Sequence, residues 1–351
     1  MGQALSRLRK GHFASPAGSL LNTPVKVFLL ISDRLSPDAL AALSLTCKPF
    51  YLILKERIQL NSADRNTLLL LLEKDLGDKL YYCHFCSRLH PFSPSWTPVD
   101  SYLRARKIQN CCYECCPVLG QAFSLSKPYH YGIGYHHARL VMNRHLFGAP
   151  RGLPLDHLHR RFVELSPRSW TQDWSARIVD NELFLRAIHV FYGQDSVCSG
   201  AAIGHEDHFI CPHIMTAMPL GYKVYFIDEI PELKDHHDHR LIPCRDILRS
   251  CPRCLTDYQI TIERAEGCER PLRTTPTIHQ KAWVSDGNPH EAPHAAGWQI
   301  TIVTYHQVGS CRSPQDWKWK TLTFGLPLLK SPRSEGSYPS GAVIRKWQQS
   351  L

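Results

Sequence analysis

The chain has 351 residues, 14 cysteines and 20 histidines, with a formal net charge of +10. At this length it holds two or three domains, or one larger core with an N-terminal appendage. No apolar run approaches the ~20 residues of a membrane span, and the N-terminus lacks the apolar core of a secretory signal. Secretion is therefore not expected, and the cysteines are read as thiols or metal ligands in a cytoplasmic or nuclear setting. The basic charge is scattered and describes a solvated surface more than an anion-binding patch.

The first 20 residues read as a flexible basic segment. Met1-Gly2-Gln3-Ala4-Leu5-Ser6 fits the pattern for acylation of Gly2 by myristate, and Arg7, Arg9 and Lys10 supply the charge that one acyl chain needs to hold a membrane. Membrane association is expected only through that modification. Residues 21–60 contain three helix starts. Thr23 precedes Pro24, Ser36 precedes Pro37 and Asp38, and Thr46 stands three residues before Pro49. Each is a capping residue with a proline in the tolerated first turn. Val27, Leu30, Ile31 and Leu35, then Leu40, Leu43 and Leu45, then Phe50, Ile53 and Leu54 keep helical spacing. Helices this short need further surface on which to bury their apolar faces. Ser62 is predicted to cap a fourth helix through Leu68–Leu72 to Asp75, stopped at Gly77.

Residues 61–125 carry the first cysteine group. Cys83-His-Phe-Cys86 is one CxxC turn, and Cys111-Cys112-Tyr-Glu-Cys115-Cys116 contains a second, Cys112 to Cys115, with 25 residues between the two turns. Two such turns supply the tetrahedral sulfur set that zinc prefers. The doubled cysteines leave the register open to Cys111 or Cys116. His84 and His90 stand by as spare groups. Cys251-Pro-Arg-Cys254 is a third CxxC, with Cys211-Pro-His213 as its expected partner pair. His208 and Cys244 are competing members of that Cys₃His set. Both sites offer four protein ligands, leave no position for water, and so predict structural zinc, one or two ions.

Between and after these groups, residues 126–330 read as a mixed helical and antiparallel body. His136–His145 and Leu155–Leu165 are predicted helices. Ala176–Tyr192 reads as a hairpin turning at Asp180-Asn181. Tyr222–Ile227, Tyr258–Ile262, Trp298–Tyr305 and the alternating Trp317–Phe324 read as strands. Residues 267–296 read as a long surface loop, and 331–351 as a flexible tail. The fold class is α+β: three N-terminal helices, a helical and cysteine-knuckle linker, and a C-terminal antiparallel β-rich domain with the second Cys/His site. Asp235-His-His-Asp-His239 reads as a solvated loop, because adjacent side chains do not converge unaided. Gly132-Ile-Gly134 lacks the rest of a nucleotide loop. With no nucleophile elbow or zincin helix either, the chain does not read as an enzyme.

Leu21, Pro24, Val27, Leu30, Leu35, Leu40 and Leu43, with Leu45, Cys47, Lys48 and Phe50, resemble an F-box. The resemblance implies docking through these residues onto the Skp-type adaptor of a cullin (SCF) ubiquitin ligase, with the remaining body holding a protein target. The family usually carries an acid two positions after the proline, where this chain has Lys26; that reversal bears on adaptor affinity, not on fold. Leu68–Asp75, Lys79–Cys86, Cys211-Pro-His213 and Cys251–Tyr258 are similar to a group of filamentous-fungal F-box proteins, extending the resemblance from about residue 21 to about 265. No established activity comes with that group. A zinc-binding module for nucleic acid or protein is the other reading, favoured by basic charge and the Trp/Lys alternation at 317–320, but without a recognition helix of zinc-finger spacing. The interleaved ligands of a RING are missing from the spacing.

Overall fold

The structure is a computed structural model and describes residues 20–84, 86–96, 122–124, 132–164, 170–193, 209–215, 228–229, 242–265, 297–322 and 338–349. The expectations for Tyr222–Ile227, 235–239 and 267–296 lie outside these residues. The chain divides into two compact units, residues 1–73 and 74–351.

The first unit is helical. After a single 3-10 turn at Leu20–Asn22 come α1 (Val25–Ser32), α2 (Pro37–Thr46) and α3 (Lys48–Leu54), and α4 (Ser62–Leu76) runs across the boundary. The prolines open α2 and α3 as their fixed φ favours. The hydroxyl caps are corrected. Ser36 stands at the cap of α2 without a side-chain bond. Thr46 ends α2 and bonds back to the Leu43 carbonyl at 2.7 Å, so Cys47 takes the cap of α3. Pro24, not Thr23, stands at the cap of α1. Ser62 is inside α4; the cap is Asn61, whose Oδ1 accepts from Asp64 N at 2.9 Å while Asp64 Oδ2 accepts from Asn61 N at 3.3 Å. That reciprocal pair satisfies two orphan donors at once. The small core is Phe28, Leu40, Phe50 and Leu54, with Phe28 and Phe50 stacked at 4.6 Å. Arg57 ties the end of α3 to α1 through Asp33 at 2.8 Å.

The second unit is built on one six-stranded antiparallel sheet. Its chain order of strands is β1 (Leu80–Cys83), β2 (Arg88–Pro91), β3 (Ala122–Ser124), β4 (Gly132–Gly134), β5 (Arg160–Glu164), β6 (Trp170–Val179), β7 (Glu182–Gly193), β8 (Phe209–Cys211), β9 (Ile214–Met215), β10 (Asp228–Glu229), β11 (Cys244–Ser250), β12 (Thr256–Ala265) and β13 (Gly297–Gly309). The large sheet runs β11-β12-β13-β7-β6-β5; β1-β2 and β3-β4 are separate two-stranded pairs, and β8-β9-β10 is a small three-stranded sheet. Asp180 and Asn181 both take positive φ, the two-residue turn that matches strand twist, and close β6 onto β7 where the sequence placed the turn.

Register decides which side chains meet. Trp174 pairs with Ala187, Ala187 with Thr304, and Thr304 with Tyr258, so these share one face with Leu185, Ile260, Ile262, Ile300 and Ile302. That face belongs to the main core, which also takes Ala138, Leu140, Val141 and Met142 of α5 (Tyr135–Phe147). Gly152 meets α5 so closely that a Cβ there would lie 2.0 Å from the Leu140 carbonyl, and its φ of +84° is the glycine region. Beside it, Leu153 N donates to that carbonyl at 3.1 Å. The opposite face of the sheet carries Phe184 and Tyr305, covered by Val343, Ile344 and Trp347 of α7 (Ala342–Gln348).

Three expectations are overturned here. Residues 155–165 are not a helix: a 3-10 turn at Leu155–Leu158 leads into β5, whose ladder on β6 outweighs the helical spacing. Trp317–Lys320 is a short helix, α6, not a strand. Asp316 Oδ1 accepts from Lys318 N at 3.0 Å to start it, and Trp319 is buried while Trp317 is not. Residues 338–349 are not a flexible tail. Asp257, fully buried on β12, accepts from Val343 N at 2.8 Å and Ile344 N at 3.2 Å, capping α7 from the sheet.

Candidate metal centre and an aliphatic surface

Two tight turns bring Cys211, His213, Cys251 and Cys254 together. The β8–β9 hairpin supplies the first pair around Pro212. The turn between β11 and β12 supplies the second, closed by Cys251 N donating to the Thr256 carbonyl at 2.9 Å. All four ligand atoms lie within 4.8 Å of one another, and all four residues are buried. His213 Nδ1 stands 3.8 Å from Cys251 Sγ and 4.0 Å from Cys211 Sγ. Ligand atoms on a tetrahedral ion, with bonds of ~2.3 Å to sulfur and ~2.0 Å to nitrogen, stand roughly 3.5–3.8 Å apart. The observed separations lie a little wider than that shell, close enough that these residues could hold a metal ion. Cys244, the competing ligand, lies apart on β11 with its sulfur 4.0 Å from the Ile260 carbonyl; His208 lies outside the described residues.

The electrostatics point the same way. Burial pushes the thiols of Cys211 and Cys254 well above their ordinary range, with Cys251 adding to the rise of both. Burial also raises Cys251, but hydrogen bonds from Cys211, Cys254 and His213 outweigh it and hold Cys251 well below that range. One thiolate surrounded by donors is what three thiols and an imidazole settle into without a cation. Arg253 N adds a further bond to Cys251 Sγ at 3.3 Å.

A second layer lies beneath, which no sequence spacing reveals. Cys254 Sγ is 3.2 Å from Thr256 Oγ1, which is 2.9 Å from His306 Nδ1, and His306 Nε2 is 3.0 Å from Thr304 Oγ1. Burial pushes His306 down to about 3, so it is neutral. With Cys254 protonated, as burial holds it, the chain has one consistent direction: Cys254 S–H to Thr256, Thr256 O–H to Nδ1, and Nε2–H to Thr304. Such outer bonds orient a ligand and tune its basicity. His306 lies on β13, 52 residues from Cys254, and only the pairing of Thr256 with His306 joins them.

Of the first predicted site, Cys83 and Cys86 are described and Cys112 and Cys115 lie outside the described residues. Cys83 and Cys86 stand within 4.8 Å of His90. The hairpin that carries them is anchored by His84, whose Nε2 lies 2.9 Å from the Arg312 carbonyl; buried Arg139 on α5 donates to that same carbonyl at 2.8 Å.

The F-box-like residues separate into two groups. Leu40 and Phe50, expected on a docking surface, form the unit's own core, and Leu43 packs against it. Pro24, Val27, Leu30 and Leu35 are exposed, Leu30 to 68 %, together with Val25, Ile31, Leu45 and Leu52. Nothing is described for the Leu21 side chain, and Gly2 lies outside the described residues. Among the described residues no helix is long and apolar enough to cross a membrane.

Compared with protein-family models, curated proteins and solved structures, the chain matches none.

Proposed function

We propose that the chain is a non-catalytic receptor or adaptor subunit of a cullin-type (SCF) ubiquitin ligase. Residues 21–54 serve as an F-box on a Skp-type adaptor, and the β-rich body carries a protein target. One observation carries this reading: a helical unit with only a four-residue buried cluster leaves Val25, Val27, Leu30, Ile31 and Leu52 in water. Exposed aliphatic groups at that density on so small a unit mark a surface that a partner covers. The ligase chemistry belongs to other subunits. In the body, the ion held by Cys211, His213, Cys251 and Cys254 is zinc: three soft sulfurs and one imidazole with no carboxylate are its preferred set, and four protein ligands close the site as a structural one. The setting is cytoplasmic or nuclear, where thiols stay reduced. The alternative, a nucleic-acid module, keeps only Trp317 of its Trp/Lys alternation on the surface, because Trp319 is inside the core.

Exposure makes the test clean. Leu30→Asp removes an adaptor contact without touching the Phe28–Phe50 stack, so the unit stays folded. Co-purification of the full chain with a Skp-type adaptor is expected, with a loss of ~30-fold or more in affinity for Leu30→Asp, the effect of deleting one buried leucine from an interface. A wild-type chain that binds no such adaptor refutes the proposal.

A further inference from the structure

We infer that the β1–β2 hairpin is a second metal site in its own right, with His90 as a ligand beside Cys83 and Cys86. The expectation from spacing paired these cysteines with Cys112 and Cys115 and left His90 aside. Register places it differently. Tyr81 pairs with His90 and Cys83 with Arg88, so Cys83 and His90 stand on the same face of the hairpin. The turn joining the strands ends in Ser87 at a φ of +50°, which folds Cys86 back over that face. Cys86 Sγ then reaches His90 Nε2 at 2.8 Å, and all three ligand atoms lie within 4.8 Å.

A thiol-to-imidazole hydrogen bond accounts for Cys86 and His90 alone. The buried Cys83 sulfur lies within reach of the same point, where a thiophilic divalent ion would join all three groups, and the close pair need open by less than about 1 Å to reach tetrahedral spacing. The site is partly shielded from water: Cys83 and His90 are buried and Cys86 half-buried, and Tyr81 lies against His90 at 5.9 Å and against Trp96 at 6.3 Å. Two sulfurs and one imidazole are a zinc donor set with one corner left for a further ligand. The hairpin needs nothing from the Cys211 set, so this inference stands apart from that centre and from the ligase reading.

Metal content of the purified full chain tests it. Two equivalents of zinc are expected in the wild type, one in His90→Gln, and one in the Cys251→Ser/Cys254→Ser double variant, which keeps the hairpin ion. Cobalt substitution of that double variant is expected to show a two-thiolate charge-transfer band. His90→Cys is expected to raise that band by about half while retaining the metal, which also shows that a change at position 90 leaves the hairpin folded. Replacing Cys111, Cys112, Cys115 and Cys116 together by serine is expected to keep the second equivalent. If His90→Gln keeps two equivalents and an unchanged cobalt spectrum, or if the fourfold serine variant loses the second ion, His90 is not the ligand and the inference falls.

Discussion

Breaking the Cys211–His213–Cys251–Cys254 centre should unfasten the sheet, and the geometry sets the size of the effect. An ion joining Cys211 to Cys251 closes a loop of 40 residues between the small three-stranded sheet and the β11–β12 turn. Treated as a covalent clip, closing a loop of that length restrains the unfolded chain by about 4 kcal/mol. For a unit of this size that is a fall of roughly 8–16 °C in melting temperature. Cys254→Ser is the perturbation, because it removes both a ligand and the inner end of the Thr256–His306–Thr304 chain. Cys244→Ser is its control, since that sulfur stands outside the cluster and its loss should cost under ~1 kcal/mol. Thermal unfolding followed by far-ultraviolet circular dichroism, with and without a strong chelator, is the assay. Wild type should fall with chelator at least to the level of Cys254→Ser, and Cys254→Ser should respond to chelator only by the smaller share that the hairpin ion contributes. If the two serine variants melt together, or if chelator leaves the wild type unchanged, the four residues do not share an ion and the reasoning fails.

Two further outcomes follow from buried groups. Asp257→Ala strips the cap from Val343 N and Ile344 N, and should cost ~1–2 kcal/mol. Faster amide exchange through residues 342–348 should accompany it, and unchanged protection there would show that α7 is held by its apolar face alone. For acid stability, burial pushes His137 and His306 down to about 3 and His136 down to about 4. The unfolded chain takes up those protons near pH 6.5, while the folded chain does not until near pH 4 or below. Stability is therefore complete above pH 6.5 and falls below it, by up to ~1.4 kcal/mol per pH unit for each histidine. Urea unfolding in the presence of chelator at pH 7 and pH 5 measures this slope; His137→Gln should remove about a third of it, and a flat profile would mean the rings are hydrated.

Much of the local structure could be read from residue types. Prolines opened α2 and α3, Asp180-Asn181 closed β6 on β7, and β-branched alternation marked β12 and β13, because each depends on conformational preferences of neighbouring residues. Trp317–Lys320 misled for the complementary reason: alternation of apolar and charged residues suits a strand, but Asp316 supplies a cap within one turn. Leu155–Leu165 had helical spacing, yet an edge of the sheet was available to pair with residues 160–164.

The sequence by itself determined the CxxC turns, the Cys-Pro-His pair and the aliphatic composition of the N-terminal helices. A CxxC turn sets its own two sulfurs side by side, whatever surrounds it. Which pair meets which was decided by tertiary structure alone. Strand register set His90 beside Cys83 and His306 beneath Cys254, and it put Asp257 under a helix 85 residues downstream. Packing likewise sorted one aliphatic stripe into a buried set at Leu40 and Phe50 and an exposed set at Val27 and Leu30. Spacing along a chain records which residues share a helix face or a turn. Distances between elements depend on how the sheet pairs and on what each face has to bury.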